Sequence, residues 1–363
     1  MTPLDGLIRR IIAQDGPMPV SQFMALALQH PEHGYYRQAM PIGQAGDFTT
    51  APEISQVFGE LIGLWVASVW DQGGQPSPSL FCEAGPGRGV LMADALRAAN
   101  RTVPAFGKAA QVYLIDSSTT LRALQAEALS NATPVWCENV GDLPAGPLFF
   151  LANEFLDALP VQQWVMTEDG WRERVVALGG GDRLAFAASD DPATGLAATG
   201  LDLPANARTG AVHESQVQAL QLVGDLARRL CQAGPSGALL IDYGHVGQNG
   251  QSTFRGIRDH AFVDPLCDVG AIDLTADIDF GALRHAAEAE GATVFGPLGQ
   301  GEFLQSLGIE ARRAALKQQA GDDLRQTIDA AIDRLVDPSA MGAIFKVMAI
   351  ASPTLGPLPG FPA

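Results

Sequence analysis

One stretch of the chain has the residue types and spacing to hold a nucleotide-like ligand: Glu83-Ala84-Gly85-Pro86-Gly87-Arg88-Gly89. Alternating glycines let the backbone turn tightly, and they let a ligand approach where side chains would block it. The apolar Leu80-Phe81-Cys82 before the turn reads as the end of a buried strand, and from Val90 onward the apolar spacing is that of an amphipathic helix. A helix that starts after such a turn points free N–H groups at the ligand. Two familiar phosphate sites do not fit. The dinucleotide fingerprint needs G-x-G-x-x-G, but Val90 stands at its third glycine; a P-loop needs Gly-Lys-Ser/Thr, and the stretch holds no lysine. The bland alternative is a tight strand-to-helix turn with no ligand.

Stepping outward, the spacing predicts the strands that would position further site residues. The run from 109 to 115 ends in Asp116, where doubly wound folds commonly hold ribose hydroxyls with a carboxylate. The competing role for Asp116 is to cap a helix that follows Ser117, Ser118 and Thr119. Val135 to Asn139 reads as a third short strand, and Leu148 to Ala152, wholly apolar, as a fourth that is buried on both faces. Asn153 and Glu154 then fall at its carboxyl end, the edge over which open α/β sheets bind ligands. Their bland reading is a capped turn with Asp157 solvated. Upstream, Gly46-Asp47-Phe48-Thr49-Thr50-Ala51-Pro52-Glu53 leads into a long apolar helix expected to reach Trp70, with Pro52 in its first turn and Glu53 complementing its dipole.

With Gly46 to Gln56, Glu83 to Gly89, Ala152-Asn153-Glu154-Phe155-Leu156-Asp157-Ala158-Leu159-Pro160, Ile241-Asp242-Tyr243-Gly244-His245, Asp264-Pro265-Leu266, Asp273-Leu274-Thr275 and Met341 to Val347 in view, the sequence resembles the MidA-like methyltransferases. These are bacterial and mitochondrial relatives of a complex I assembly factor that methylates an arginine. The likeness runs over nearly the whole chain, with departures at Ser252, Val269 and Asp277. It implies a class I fold and S-adenosyl-L-methionine as cofactor, with Glu83 facing the cationic methionine end. Gly85, Gly87 and Gly89 would form the cradle, Asp116 and Ser117 follow the second strand, Asn139 and Val140 approach the adenine, and Asn153 lies near the methionine. It further implies Glu154, Glu53 and Asp47 on the acceptor side, and a protein substrate such as a subunit of NADH dehydrogenase. A non-catalytic assembly factor that keeps the fold is the competing reading; an NAD-linked oxidoreductase is disfavoured by Val90.

The bulk properties agree with a globular enzyme. The chain has 363 residues, 47% of them hydrophobic, enough for a full core. No apolar run approaches the ~20 residues that span a bilayer. The net charge of −17 repels nucleic-acid backbones and would attract a basic polypeptide, although such acidity is equally common in proteins with no basic partner. Cys82, Cys137, Cys231 and Cys267 form no C-x-x-C pair, so zinc ribbons lose their signature. His30 and His33 read as loop residues and not as metal ligands. The N-terminal residues lack a secretory pattern, so a cytoplasmic location is expected. The expected architecture is α/β, a mostly parallel Rossmann-like sheet. Its parts would be an N-terminal helical cap (1–72), a core in two pieces (73–163 and 236–351), a β-hairpin and helical insertion (164–235) and a frayed tail (352–363). The span 246–276 is expected to be an irregular substrate-side loop, 213–231 a helix, and 311–335 another.

Overall fold

A computed structural model describes residues 1–38, 50–192, 203–247 and 250–362. The chain divides into two compact units, one of Met1–Phe48, Asp157–Leu220 and His245–Asp279, the other of Thr49–Leu156, Gln221–Gly244 and Phe280–Ala363.

The second unit carries the expected sheet. Its strands run, from one edge, Thr293–Gly299, Phe345–Ala351, Gly237–His245, Leu148–Asn153, Ser79–Ala84, Ala110–Ile115 and Val135–Cys137. The last five are mutually parallel, and the two at the first edge are antiparallel. Ser79–Ala84 and Leu148–Asn153 are buried at every position, as parallel strands covered on both faces must be. The helix Gln56–Gln72 lies so close to Val90–Thr102 that a Cβ on Gly63 would come within 2.3 Å of the Ala95 carbonyl oxygen. Glycine is what permits that approach.

Three expectations for this unit need correction. The helix expected to run unbroken to Trp70 is interrupted at Ser55, which is extended (φ −155°, ψ 131°). Its Oγ accepts from the Val57 N–H at 3.2 Å and so caps a second helix, leaving Ala51–Ile54 as a separate turn. The expected helix 311–335 is two, Ile309–Gln318 and Asp322–Val336, separated at Gly321. The tail is not frayed: Leu355 and Leu358 are buried, the Trp65 indole donates to the Pro359 carbonyl at 2.9 Å, and Phe361 packs on Phe303. Apolar residues among its prolines hold it down.

The first unit is built on an antiparallel sheet in the order Met18–Pro19, Gly170–Leu178, Gln162–Thr167, Val212–Ser215, with Leu184–Pro192 also pairing Gly170–Leu178. The helices Pro3–Asp15 and Val20–Gln29 share one apolar cluster with Val176 and Leu184 of this sheet. Two expectations fail here. Residues 212–215 form a strand paired with Gln162–Val165, and the helix begins only at Val217, because cross-strand pairing overrides local helical spacing. The span 246–276 contains a three-stranded antiparallel sheet of Arg255–Arg258, Ala261–Val263 and Asp273–Thr275. Nor is Asp157 solvated; it is buried and accepts from the Thr275 hydroxyl at 2.9 Å.

Candidate active site

Four neighbouring parallel strands of the second unit end on one edge, and the predicted cofactor residues follow their ends: Glu83 to Gly89, Asp116 and Ser117, Asn139 and Val140, and Asn153. The turn after Ser79–Ala84 requires its glycines, since Gly85, Gly87 and Gly89 have φ of 65°, 52° and 82°, the left-handed region. Gly85 has a second reason to lack a side chain, because a Cβ there would sit 2.6 Å from the Phe155 ring. Gly89 is the N-cap of Val90–Thr102.

Two polar atoms at this edge, Oε2 of Glu83 and Oδ1 of Asn153, are buried without a hydrogen-bond partner among the described residues. Glu83 pairs in register with Leu151, so Asn153, two residues further along the adjacent strand, projects to the same face. Glu83 is only 2% exposed, and burial pushes its carboxyl up to about 8 against a smaller lowering by the Met92 backbone N–H. Both orphan atoms can accept, so the group that satisfies them must donate, and a cation there would return Glu83 to its ionised form. An ammonium such as the methionine end of S-adenosylmethionine meets both demands.

Asp116 is engaged on both oxygens: Oδ1 accepts from the Ser118 N–H and Oδ2 from the Gln125 amide, each at 2.7 Å. The cap of the following helix Thr119–Ala128 is Ser118, not Asp116. Ser117 and Asn139 are exposed and Val140 is buried. Asn139 heads a short turn whose Asp142 carboxylate accepts from its N–H. The residue that ties these parts together is Gln125, fully buried. Its amide also donates to the Gly87 carbonyl at 2.8 Å, and its oxygen accepts from the Trp136 indole at 2.8 Å. Nothing in the sequence marks it, because it sits mid-helix.

The structure brings Glu154 and Glu53, the residues expected to face the acceptor, to the same edge. Glu154 has φ of 50°, uncommon for a residue with a side chain; its N–H donates to the Ile241 carbonyl, and its Oε1 accepts from the Ala51 N–H at 3.1 Å and the Asn153 amide at 3.0 Å. Glu53 lies 3.6 Å from the guanidinium of Arg88, in the glycine turn. The acids that begin the apolar helix are held similarly, with buried Glu60 bonded to Arg312 at 2.8 and 3.2 Å. Asp47 lies outside the described residues. Arg88 and Phe155 were within the motifs, yet their contacts to Glu53 and Gly85 were not readable from spacing.

A parallel sheet with an acidic residue and a glycine turn on its carboxyl edge, and with acceptors there that call for a cation, defines a nucleoside-dependent transferase of the methyltransferase type. The chain belongs to the S-adenosyl-L-methionine-dependent methyltransferases, whose family match covers residues 61–298. It is 36% identical to the mitochondrial protein arginine methyltransferase NDUFAF7 of Danio rerio over 371 residues, 96% of this chain and 86% of that one. The homolog of that protein from Drosophila melanogaster is 34% identical over 375 residues, covering 94% and 83% of the two chains. A crystal structure from Burkholderia thailandensis bound to S-adenosyl-homocysteine superposes with a TM-score of 0.82 at 28% identity, covering 98% of this chain and 93% of that one. The cofactor is therefore S-adenosyl-L-methionine. The expected cytoplasmic location is overturned, since the curated relatives are mitochondrial by name; lack of a secretory pattern does not choose among the other compartments. No helix among the described residues is long and apolar enough to cross a membrane.

Proposed function

We propose that the chain transfers the methyl group of S-adenosylmethionine to an arginine of a partner protein, a subunit of NADH dehydrogenase. The observation that carries the arginine is the pair between Glu53 and Arg88: a carboxylate at this edge already holds a guanidinium. The naming of the curated relatives as protein arginine methyltransferases supports the same acceptor.

In this reading Glu83 and Asn153 hold the methionine end, Gly85, Gly87 and Gly89 cradle the cofactor, Asp116 with Ser117 holds the ribose, and Asn139 with Val140 borders the adenine. When bound, the cofactor supplies a methyl on a sulfonium, an electrophile with a good leaving group built in. The chain's task is then alignment. Glu154 and Glu53 hold the planar guanidinium fork by charge-assisted bonds and draw its positive charge away from the attacking nitrogen. The apolar strands behind them keep water from the transfer.

The test is mass spectrometry of NADH dehydrogenase subunits from cells with and without the protein, followed by transfer with purified components. A methylarginine that disappears with the protein and is restored by adding it is the expected result. Partner binding with no methylation on any residue would overturn it in favour of a non-catalytic assembly factor.

A further inference from the structure

Near the carboxyl end of the strand Gly237–His245 stands Asp242, an acid that is 0% exposed. Burying such a group is costly unless donors meet it. Each of its oxygens accepts a backbone N–H, Oδ1 that of Tyr243 and Oδ2 that of Leu156, both at 3.0 Å. The first bond is local. The second reaches 86 residues back along the chain, to the turn that leaves the neighbouring parallel strand Leu148–Asn153.

That turn begins with Glu154 at φ of 50°. A residue with a side chain keeps such a conformation only where its surroundings impose it. Here the strand Gly237–His245 imposes it from both sides. The Ile241 carbonyl accepts from the Glu154 N–H at 2.9 Å, and two residues further on Asp242 takes the Leu156 N–H. Between them the Phe155 ring lies so close to Gly85 that a Cβ there would come within 2.6 Å of it. Held in this way, the Glu154 side chain brings its Oε1 to the Ala51 N–H and the Asn153 amide.

We propose that Asp242 is a positioning residue for methyl transfer, resting on the reading of Glu154 as a carboxylate that grips the acceptor: it acts through Glu154 by fixing the turn that carries it. The side chain has to be an acid. Asparagine offers one oxygen and one NH2, so either the Tyr243 or the Leu156 N–H would face another donor, and the turn would shift to relieve it. A shift of about 1 Å in a group that aligns the reactants can slow a transfer by on the order of a hundredfold.

Asp242→Asn tests this, first with no acceptor present. In amide hydrogen exchange on the full chain, the N–H groups of Leu156, Glu154 and Ala51 should exchange at least about tenfold faster than in the original protein, while the Ser118 N–H, held by Asp116, keeps its rate. Affinity for S-adenosylhomocysteine should stay within about threefold. Single-turnover transfer of labelled methyl to NADH dehydrogenase subunits purified from cells lacking the protein should fall by about a hundredfold. In a Glu154→Gln background the same change should cost no more than about twofold further, because a residue that acts through Glu154 then has nothing left to align. Unchanged exchange at Glu154 and Ala51 would overturn the assignment, and so would a full second loss in the Glu154→Gln background, which is what a merely structural role gives. If Asp242→Asn does not fold, the original protein decides: exchange at Glu154 and Leu156 as slow as in the strand Gly237–His245 is expected, and fast exchange there overturns the clamp. Transfer lost in Glu154→Gln but kept in Asp242→Asn overturns the positioning role alone. Full transfer by Glu154→Gln overturns the reading of Glu154, and the role of Asp242 in transfer with it.

Discussion

Replacing Glu83 with glutamine should change the pH dependence of both stability and cofactor affinity, in opposite senses. The buried carboxyl titrates at about 8 instead of 4.5. At about 1.4 kcal/mol per pH unit, that displacement corresponds to an upper bound of roughly 5 kcal/mol. The folded state keeps its proton up to about pH 8, while the unfolded chain loses it near pH 4.5, so between these values the folded state binds more protons. Stability therefore falls as pH rises through that window, and the full penalty is present above pH 8. Glutamine carries no such penalty, so Glu83→Gln should gain on the original protein by several kcal/mol between pH 5.5 and pH 9. Cofactor affinity should move the other way. A cation needs the ionised carboxylate, so binding of S-adenosylhomocysteine to the original protein should strengthen nearly tenfold per unit between about pH 6 and 7.5, while the variant binds weakly and with a flat profile. Urea denaturation at several pH values and calorimetric titration measure the two effects. Parallel stability profiles for the two proteins, or an affinity for the original that is flat over this window, would refute the placement of an unpaired carboxyl at the methionine end.

Other substitutions test the rest of the edge. Gly87→Val puts a branched side chain on a residue with φ of 52° that is proposed to cradle the cofactor, and should abolish S-adenosylhomocysteine binding in calorimetry while circular dichroism shows a folded chain. Asp116→Ala should cost about 1–3 kcal/mol of cofactor affinity and also lower the melting temperature, because Gln125 loses a partner; unchanged affinity would confine Asp116 to shaping the turn. Gln125→Leu leaves the Trp136 indole, the Gly87 carbonyl and Asp116 each short of a bond, so denaturation should show a loss of about 3 kcal/mol or more, and a loss below about 1 would refute its linking role. Glu154→Gln should keep cofactor affinity within a factor of about three yet lower single-turnover transfer by orders of magnitude; full transfer would move the acceptor carboxylate to Glu53.

The parallel strands were legible because each carries its own signal. Leu148 to Ala152 is apolar throughout, which a strand covered on both faces must be whatever its neighbours are. Val212–Ser215 carries no such signal: its partner lies some fifty residues earlier, and its four residues continue smoothly into the apolar spacing of the helix that follows. The same holds for the small sheet within 246–276, whose strands of three or four residues are defined only by one another. The break at Ser55 was also hidden, because a serine inside an apolar run reads equally as a polar helix position and as a cap.

For the site, the readable part was the part that topology enforces. Residues at the ends of successive parallel strands must share an edge, so Glu83, Asp116, Asn153 and Glu154 could be grouped from position alone. Gln125 could not, because its three partners lie 9, 11 and 38 residues away and converge only once the sheet is formed. Glu154 shows where the two kinds of information meet. Its position was legible, but its carboxylate also satisfies the Ala51 N–H, one of the free donors at the start of Ala51–Ile54. That second task decides how its role must be probed. Alanine would remove the acceptor for Ala51 along with the charge, so lost transfer could follow from a displaced turn carrying Glu53. Glutamine keeps an oxygen for Ala51 while replacing the other by an NH2, so a transfer defect that survives this change is traced to the lost charge and acceptor and not to a displaced turn, as the proposed grip on a guanidinium requires.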